Sequence, residues 1–155
     1  VLHPTAAKLQ QRLRERGLEV DVRELDDSTR TAAEAAAAVG VETGQIVKSL
    51  VFTSVGGEPL LVLCAGDRRV DTGVLGDGVR AATADEVRAA TGFAIGGVPP
   101  LGHDRPLRTV VDESLRRFDD VWCAAGTPRS VFNVGTDDLL AAIPDVEVRS
   151  VSPGR

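Results

Sequence analysis

The chain has 155 residues, 43% hydrophobic and 26% charged, and a net charge of −5. That length predicts one domain, residues 1–155, with a real core, and the composition is ordinary for a soluble globular protein. The acidic balance excludes a protein that coats DNA or RNA by charge alone, although a local basic mouth gripping one RNA end is still compatible with it. No apolar run approaches the roughly 20 residues that span a bilayer, so no membrane partner is expected. No charged-then-apolar leader opens the chain, which predicts a cytoplasmic protein. Cys64 and Cys123 each sit in an apolar, strand-like run. They read as core thiols of a reducing compartment, not as a disulfide. With two isolated histidines they lack the clustering of a zinc site, and neither a metal nor a cofactor is expected.

Residues 4–16 predict a helix with Pro4 in its first turn, a stripe of Ala6, Leu9 and Leu13, and Gly17 as its stop. Leu18, Val20 and Val22 alternate with charges over 18–25, the pattern of a half-exposed strand. Asp26-Asp27-Ser28 is a loop. Thr31 and Glu34 have capping-box spacing and open an alanine-rich helix that ends near Gly40. Residues 42–46 predict a short helical turn.

Ile46-Val47-Lys48-Ser49-Leu50-Val51-Phe52 follows. Read with period two, Ile46, Lys48, Leu50 and Phe52 share one face, and Val47, Ser49 and Val51 the other. Both faces are largely apolar, so this is a central strand covered on both sides. A lysine there either snorkels to the strand end or points into a polar cavity. The cavity is the expectation, because lysine is scarce: 16 arginines accompany only Lys8 and Lys48.

Residues 55–59 predict a hairpin turn, and Leu60–Ala65 the returning strand. A helical turn at 70–75 and a short strand Val79–Ala82 come next. Thr83 or Asp85 caps a helix to about Ala90, stopped by Gly92. After the Gly96–His103 loop come strand Leu107–Val111, a helical turn at Glu113–Arg117 and strand Val121–Ala125. The Gly126-Thr127-Pro128 turn leads to strand Val131–Val134. A helix at about 136–142 capped by Thr136, strand Val146–Val148 and a frayed tail, Ser152–Arg155, close the chain. Strands at hairpin spacing interrupted by helices predict an α+β fold with a largely antiparallel or mixed, curved sheet.

Gly96-Gly97-Val98-Pro99-Pro100 makes a bend without Cβ atoms in its way. Such a loop either turns a sheet corner or aims backbone N–H groups at an oxyanion. Its spacing is not that of a P-loop or a dinucleotide fingerprint. Gly-x-Ser-x-Gly is absent, His3 reads as a solvated pre-helix residue and His103 as a surface-loop histidine, so a Ser–His–Asp enzyme is not expected. Asp137 and Asp138 complement a helix dipole. Arg68 and Arg69 read as solvated turn residues, and Trp122 as a core residue with a partner for its indole N–H.

These pieces occur in an order that resembles the YbaK/prolyl-tRNA editing-domain family. They are Thr31-Ala32-Ala33-Glu34 leading to Val39-Gly40-Val41; Gln45 through Phe52 with its Lys-Ser-Leu; Thr91-Gly92 and then Gly96-Gly97-Val98-Pro99-Pro100; Ala125-Gly126 before a strand; and Asp138-Leu139. The likeness runs from about residue 18 to about 148. It implies a mixed, curved, barrel-like β-sheet with surrounding helices, and hydrolysis of the ester that joins a wrongly attached amino acid to a tRNA, typically tRNA(Pro).

By that resemblance Lys48 is the key residue beside the substrate's 3′ end. It neutralises phosphate or orients the ester and is not a nucleophile. Gly96 and Gly97 supply backbone groups around the scissile carbonyl, and a ribose hydroxyl of the terminal adenosine assists the attacking water. Val98, Ala124, Ala125, Gly126 and Val131 are the implied substrate-binding positions. The branch that removes cysteine has a serine and an aspartate where Ala124 and Val131 stand here, so alanine, serine and 2-aminobutyrate join cysteine as substrates to test. One methylene in an apolar site is worth about 1–3 kcal/mol, so small changes reassign specificity. The implied partners are a misacylated tRNA and an aminoacyl-tRNA synthetase. Two alternatives stand beside this reading: a non-catalytic tRNA- or synthetase-binding module of the same fold, and a hydrolase of another small ester.

Overall fold

The computed structural model describes residues 1–27 and 29–153. Helix α1 (Pro4–Glu15) buries Ala6, Leu9 and Leu13, with proline in its first turn as its fixed φ favours. Gly17 ends it at φ +91°, where the Leu18 N–H reaches back to the Leu13 carbonyl. Leu18, Val20 and Val22 are buried in alternation, yet only Val22–Glu24 form a strand, β1. Its partner pairs with those three residues alone. The loop expected at 26–28 includes Ser28, which lies outside the described residues.

Helix α2 (Ala32–Val39) starts with the complete Thr31/Glu34 capping box and stops at Gly40, φ +76°. A 3-10 turn, Thr43–Gln45, leads into β2 (Val47–Thr53), which pairs antiparallel along its whole length with β3 (Pro59–Ala65). Then come α3 (Thr72–Leu75), β4 (Arg80–Ala81), α4 (Ala84–Thr91), β5 (Thr109–Asp112) and a second 3-10 turn, Glu113–Arg117. Thr83, not Asp85, caps α4. Strands β6 (Asp120–Ala124) and β7 (Ser130–Gly135), helix α5 (Thr136–Ala142) and β8 (Glu147–Arg149) complete the order. Gly135 occupies the cap position of α5; the Thr136 hydroxyl instead donates to the Phe118 carbonyl at 2.6 Å. A cap donor-acceptor pattern is a weak guide when a tertiary carbonyl lies nearer than the helix's own N–H groups.

The α+β reading holds. The strands form two sheets: an antiparallel one ordered β1-β7-β6 and a mixed one ordered β4-β2-β3-β5-β8. They are not closed into a barrel; an isolated parallel bridge between Ile46 and Trp122 joins them. As its pattern predicted, β2 is covered on both sides. Val47 and Val51 belong to the main core with Leu61, Leu63, Val111, Val121 and Phe132. Phe52 and Leu50 face a second cluster with Leu60, Val62, Val110 and Val151. Cys64 and Cys123 are free and buried.

The chain end departs from expectation. Ser152 is 4% exposed and Val151 fully buried; Gly154 and Arg155 lie outside the described residues. The cause is the buried Asp112 carboxylate. It accepts from the N–H groups of Val151 (2.7 Å), Ser152 (3.1 Å) and Ser114 (3.2 Å), and from the Ser152 hydroxyl (2.6 Å). Burial alone would raise the pKa of this group, but the hydrogen bonds from Ser114, Ser152 and Val151 outweigh it and hold it below the usual value. A depressed folded-state pKa contributes stability that is present above the unfolded value and is lost as pH falls through the folded one. Asp112→Asn is expected to cost about 2–3 kcal/mol at neutral pH, read by urea unfolding. The gap between wild type and variant should narrow below about pH 4; a gap that stays constant to pH 2 would contradict this origin.

Candidate active site

A cavity of about 380 Å³ lies against β2, bounded by the start of α2 and by the loop after α4. Its wall includes Thr29–Ala32, Ala35, Ile46–Leu50, Ile95, Gly96 and Val98. Three of the positions singled out in the sequence, Lys48, Gly96 and Val98, therefore meet in one place. Arg30 and Lys48 supply its charge; no carboxylate, imidazole or thiol is among the lining residues.

Lys48 is half-buried near the start of β2, opposite Cys64 on β3. Its ammonium donates to the Arg68 carbonyl, in the turn that follows β3. The head thus reaches the strand end, while Lys48 also counts among the residues that line the cavity. The turn is itself clamped. Arg117 makes a two-pronged ion pair with Asp67, at 2.7 and 3.1 Å, and donates to the Ser114 carbonyl. The Ser114 hydroxyl accepts from the Ala65 N–H. Gly66 fits between the Thr43 carbonyl and Ala32, where a Cβ would come within 2.4 Å of backbone oxygen. Beneath Lys48, burial and then the Asp112 charge push the Cys64 thiol pKa up, against the opposing pull of Lys48, so this cysteine is inert as a nucleophile.

The glycine pair divides its work. Gly96 is the third residue of a turn closed by the Gly97 N–H on the Ala94 carbonyl at 3.0 Å, and its φ of +90° is what a type II turn requires there. Gly97 thus has its N–H engaged. Its need for glycine is steric, since an added Cβ would lie 2.8 Å from both C and O of Gly126. The Gly126 N–H donates back to the Gly97 carbonyl at 2.9 Å. Among the described residues, the Gly96 and Val98 N–H groups have no protein partner.

Ala124, Ala125, Gly126 and Val131 do not line the cavity. Gly126 and Ala125 stand behind it: the turn they open backs Gly97, and its Pro128 carbonyl accepts from the Thr29 N–H at 3.4 Å. Ala124 and Val131 are cross-strand neighbours on the face of the smaller sheet that also carries Trp122. That tryptophan is half-buried under Arg23 and packs with Ile46 and the α2 alanines, not in the main core. His103 is not a free surface residue either. Its Nε2 bonds the Pro99 carbonyl at 2.7 Å, and burial holds its pKa down. His3 caps α1 through Nδ1.

Three wider clefts, of about 450, 520 and 460 Å³, lie elsewhere, the first lined in part by His103, Arg108 and Glu147, the second by Glu19, Asn133 and Asp138 and the third by His3, Glu24 and Arg129. Arg108 and Glu147 are paired with each other at 2.8 Å, and Arg16, Arg105 and Asp145 also line the first cleft, so it mixes both signs of charge where the Lys48 cavity carries cations alone.

Sequence reasoning missed Thr29, Arg30, Ser49 and Ile95 as wall residues. Ser49 lies on the opposite strand face from Lys48, and period two alone keeps the two apart. They meet because the cavity wraps a strand edge, which periodicity does not reveal.

A cavity whose charged wall residues are all cations, with no nucleophile–base pair and a glycine turn at its rim, is the candidate site. The family model described as "Aminoacyl-tRNA editing domain" matches residues 26–142, and the chain belongs to that family. It is 47% identical to a solved structure described as a candidate trans-editing enzyme for prolyl tRNA synthetase, with TM-score 0.91 over 99% of this chain and 100% of that one. YwhH of Bacillus subtilis, itself uncharacterized, is 34% identical over 78% of this chain and 80% of its own length. The proline–tRNA ligase of Lactobacillus gasseri is 35% identical over 74% of this chain, which spans only 21% of the ligase.

Substitution at the two glycines separates their roles. Gly96→Ala has space, its nearest neighbour being Pro128 at 3.8 Å, and should cost about 1–2 kcal/mol through backbone strain alone. Gly97→Ala forces two backbones apart and should cost about 3 kcal/mol. Urea unfolding checks the order; a Gly97→Ala protein as stable as wild type would refute the packing role.

Proposed function

We propose that the protein is a trans-editing deacylase that hydrolyses the ester of a small misacylated amino acid on tRNA, with tRNA(Pro) as the first candidate. The observation that carries this reading is the meeting of Lys48 and Gly96 in a cavity whose wall has no nucleophile–base pair. An ester is reactive enough that orientation and oxyanion stabilisation suffice. In the step itself, a water oxygen bonds to the ester carbonyl carbon, the bond to the ribose oxygen breaks, and the water proton ends on that ribose oxygen. The products are a free amino acid and an intact 3′ end. Since no wall residue is a general base, the proton passes through water and the neighbouring ribose hydroxyl of the substrate.

Lys48 keeps further ammonium protons besides the one directed to Arg68, and these are aimed at the ester or the terminal phosphate. The free N–H groups of Gly96 and Val98 face developing negative charge, while Gly97 holds their turn against Gly126. Arg30 and Lys48 give an otherwise acidic protein a local positive wall, which suits capture of an RNA end and makes the affinity salt-sensitive. Ala124 and Val131 lie off the cavity wall, so selection falls to apolar wall residues such as Ala32, Ala35, Ile95 and Val98, which favour an apolar side chain such as that of alanine or 2-aminobutyrate.

The test is a panel of tRNA(Pro) charged with alanine, cysteine, serine, 2-aminobutyrate or proline. Wild type should clear at least one of the mischarged forms and spare prolyl-tRNA. Lys48→Ala should lower kcat by about 10²–10³. A wild type that clears none of them, while still binding the tRNA, would indicate a binding module instead; a fully active Lys48→Ala would remove the lysine from the mechanism.

A further inference from the structure

The middle of β2 is an unpaired strand edge. Strand β4 covers only Phe52 and Thr53, with one more bond from the Ala82 N–H to the Val51 carbonyl at 3.0 Å. At the other end Ile46 bridges Trp122. Residues 48–50 between these points are ladder-paired on one side alone, to β3. Within that pair the direction of each backbone group follows from the register. The Leu61 N–H turns away from β2 to the Arg108 carbonyl, so Val62 and Cys64 turn towards it and bond Leu50 and Lys48. Ser49 therefore directs its N–H and C=O outward, as Val51 does where β4 begins.

Ser49 lines the cavity. Its hydroxyl oxygen is buried and has no hydrogen-bond partner. Its N–H and C=O turn away from Leu63, its ladder partner on β3, and no loop or turn group among the described residues bonds them. A buried hydroxyl without a partner, on a residue whose backbone groups turn off the ladder beside a cavity, is uncommon in a folded protein and calls for an occupant. At the neighbouring start of α2 the capping box engages the N–H groups of Thr31 and Glu34.

We propose that this edge pairs with the substrate's aminoacyl group as a strand one residue long. The inference rests on the deacylase reading. In an aminoacyl ester the α-ammonium and the ester carbonyl are spaced like the N–H and C=O of a single residue. The Ser49 carbonyl and hydroxyl accept from the ammonium, and the Ser49 N–H donates to the carbonyl oxygen, on the side of the cavity that faces Gly96. The pairing is blind to the amino acid's side chain, as ladder pairing is. It identifies the ligand as an ester of an α-amino acid, distinct from an acyl ester of the same size, and it fixes the carbonyl for attack. Ser49 is a substrate-binding residue in this account.

The experiment compares alanyl-tRNA(Pro) with propionyl-tRNA(Pro), which lacks only the ammonium, each rate divided by the uncatalysed rate of the same ester. Wild type should accelerate the alanyl ester at least about 30-fold more than the propionyl ester, a charged hydrogen bond being worth about 10- to 100-fold. Ser49→Ala should narrow that ratio severalfold and Ser49→Thr should keep it; a purely structural role would slow both esters together. Equal acceleration of the two esters by wild type, or an unchanged ratio in a folded Ser49→Ala, overturns the proposal. If Ser49→Ala does not fold, the wild-type ratio decides. If wild type cleaves neither ester, the deacylase reading fails. The edge is then judged by binding of the amide-linked 3′-alanylamino and 3′-propionylamino adenosines: tighter binding of the first supports it, and equal binding overturns it.

Discussion

The hydrogen bond from the Lys48 ammonium to the Arg68 carbonyl is the contact on which the site depends. A lysine on a strand face between two apolar clusters has a long, mobile stem. Without a fixed acceptor its head would sample many positions at an entropic cost of up to about 2 kcal/mol on ordering. The turn Gly66–Arg68 provides that acceptor, and tertiary contacts hold the turn from three directions: the Arg117–Asp67 pair, the Ser114 hydroxyl on Ala65, and Gly66 against the Thr43 carbonyl. Ser114 is in turn bound by Asp112, which also ties down Val151 and Ser152. One buried carboxylate therefore links the end of the described chain to the position of the pocket's cation.

The opposite wall follows a different rule, close approach of backbone to backbone. Gly97 packs on the Gly126 backbone where an added Cβ would lie 2.8 Å away, and the turn that Gly126 opens also accepts from Thr29. A rigid rim of this kind suits chemistry that relies on orientation more than on a side-chain nucleophile. It also separates two kinds of site glycine. Gly96 is needed for its backbone angle and Gly97 for its lack of volume, and only the first borders the cavity.

Much of this was legible beforehand, for identifiable reasons. Capping boxes and helix stops at Thr31, Glu34, Gly40, Thr83 and Gly92 are local signals and were read correctly. The two-sided apolar pattern of β2 placed Lys48 on a buried strand. What escaped was set by tertiary acceptors. Thr136 gave its hydroxyl to Phe118, leaving Gly135 as the cap, and Ser152 was drawn inward by Asp112. His103 was fastened to Pro99. Strand alternation also cannot show where a neighbouring strand stops, so Ser49 read as a core-facing neighbour of Lys48 and not as the centre of an open edge. Motif order located Lys48, Gly96 and Val98 together, but it merged wall residues with those behind the wall, Ala125 and Gly126, and with Ala124 and Val131 on another sheet face.

The central claim is that Lys48 is the cation that meets the aminoacylated RNA end. The chain has only two lysines, Lys8 and Lys48, so protein labelled with ¹⁵N at lysine gives two side-chain signals to follow. Titration with 3′-alanylamino-adenosine, an unhydrolysable mimic of the charged end, should shift the Lys48 ammonium signal and leave that of Lys8, exposed on α1, in place. A mimic that binds without moving the Lys48 signal, or that binds Lys48→Ala equally well, would contradict the account.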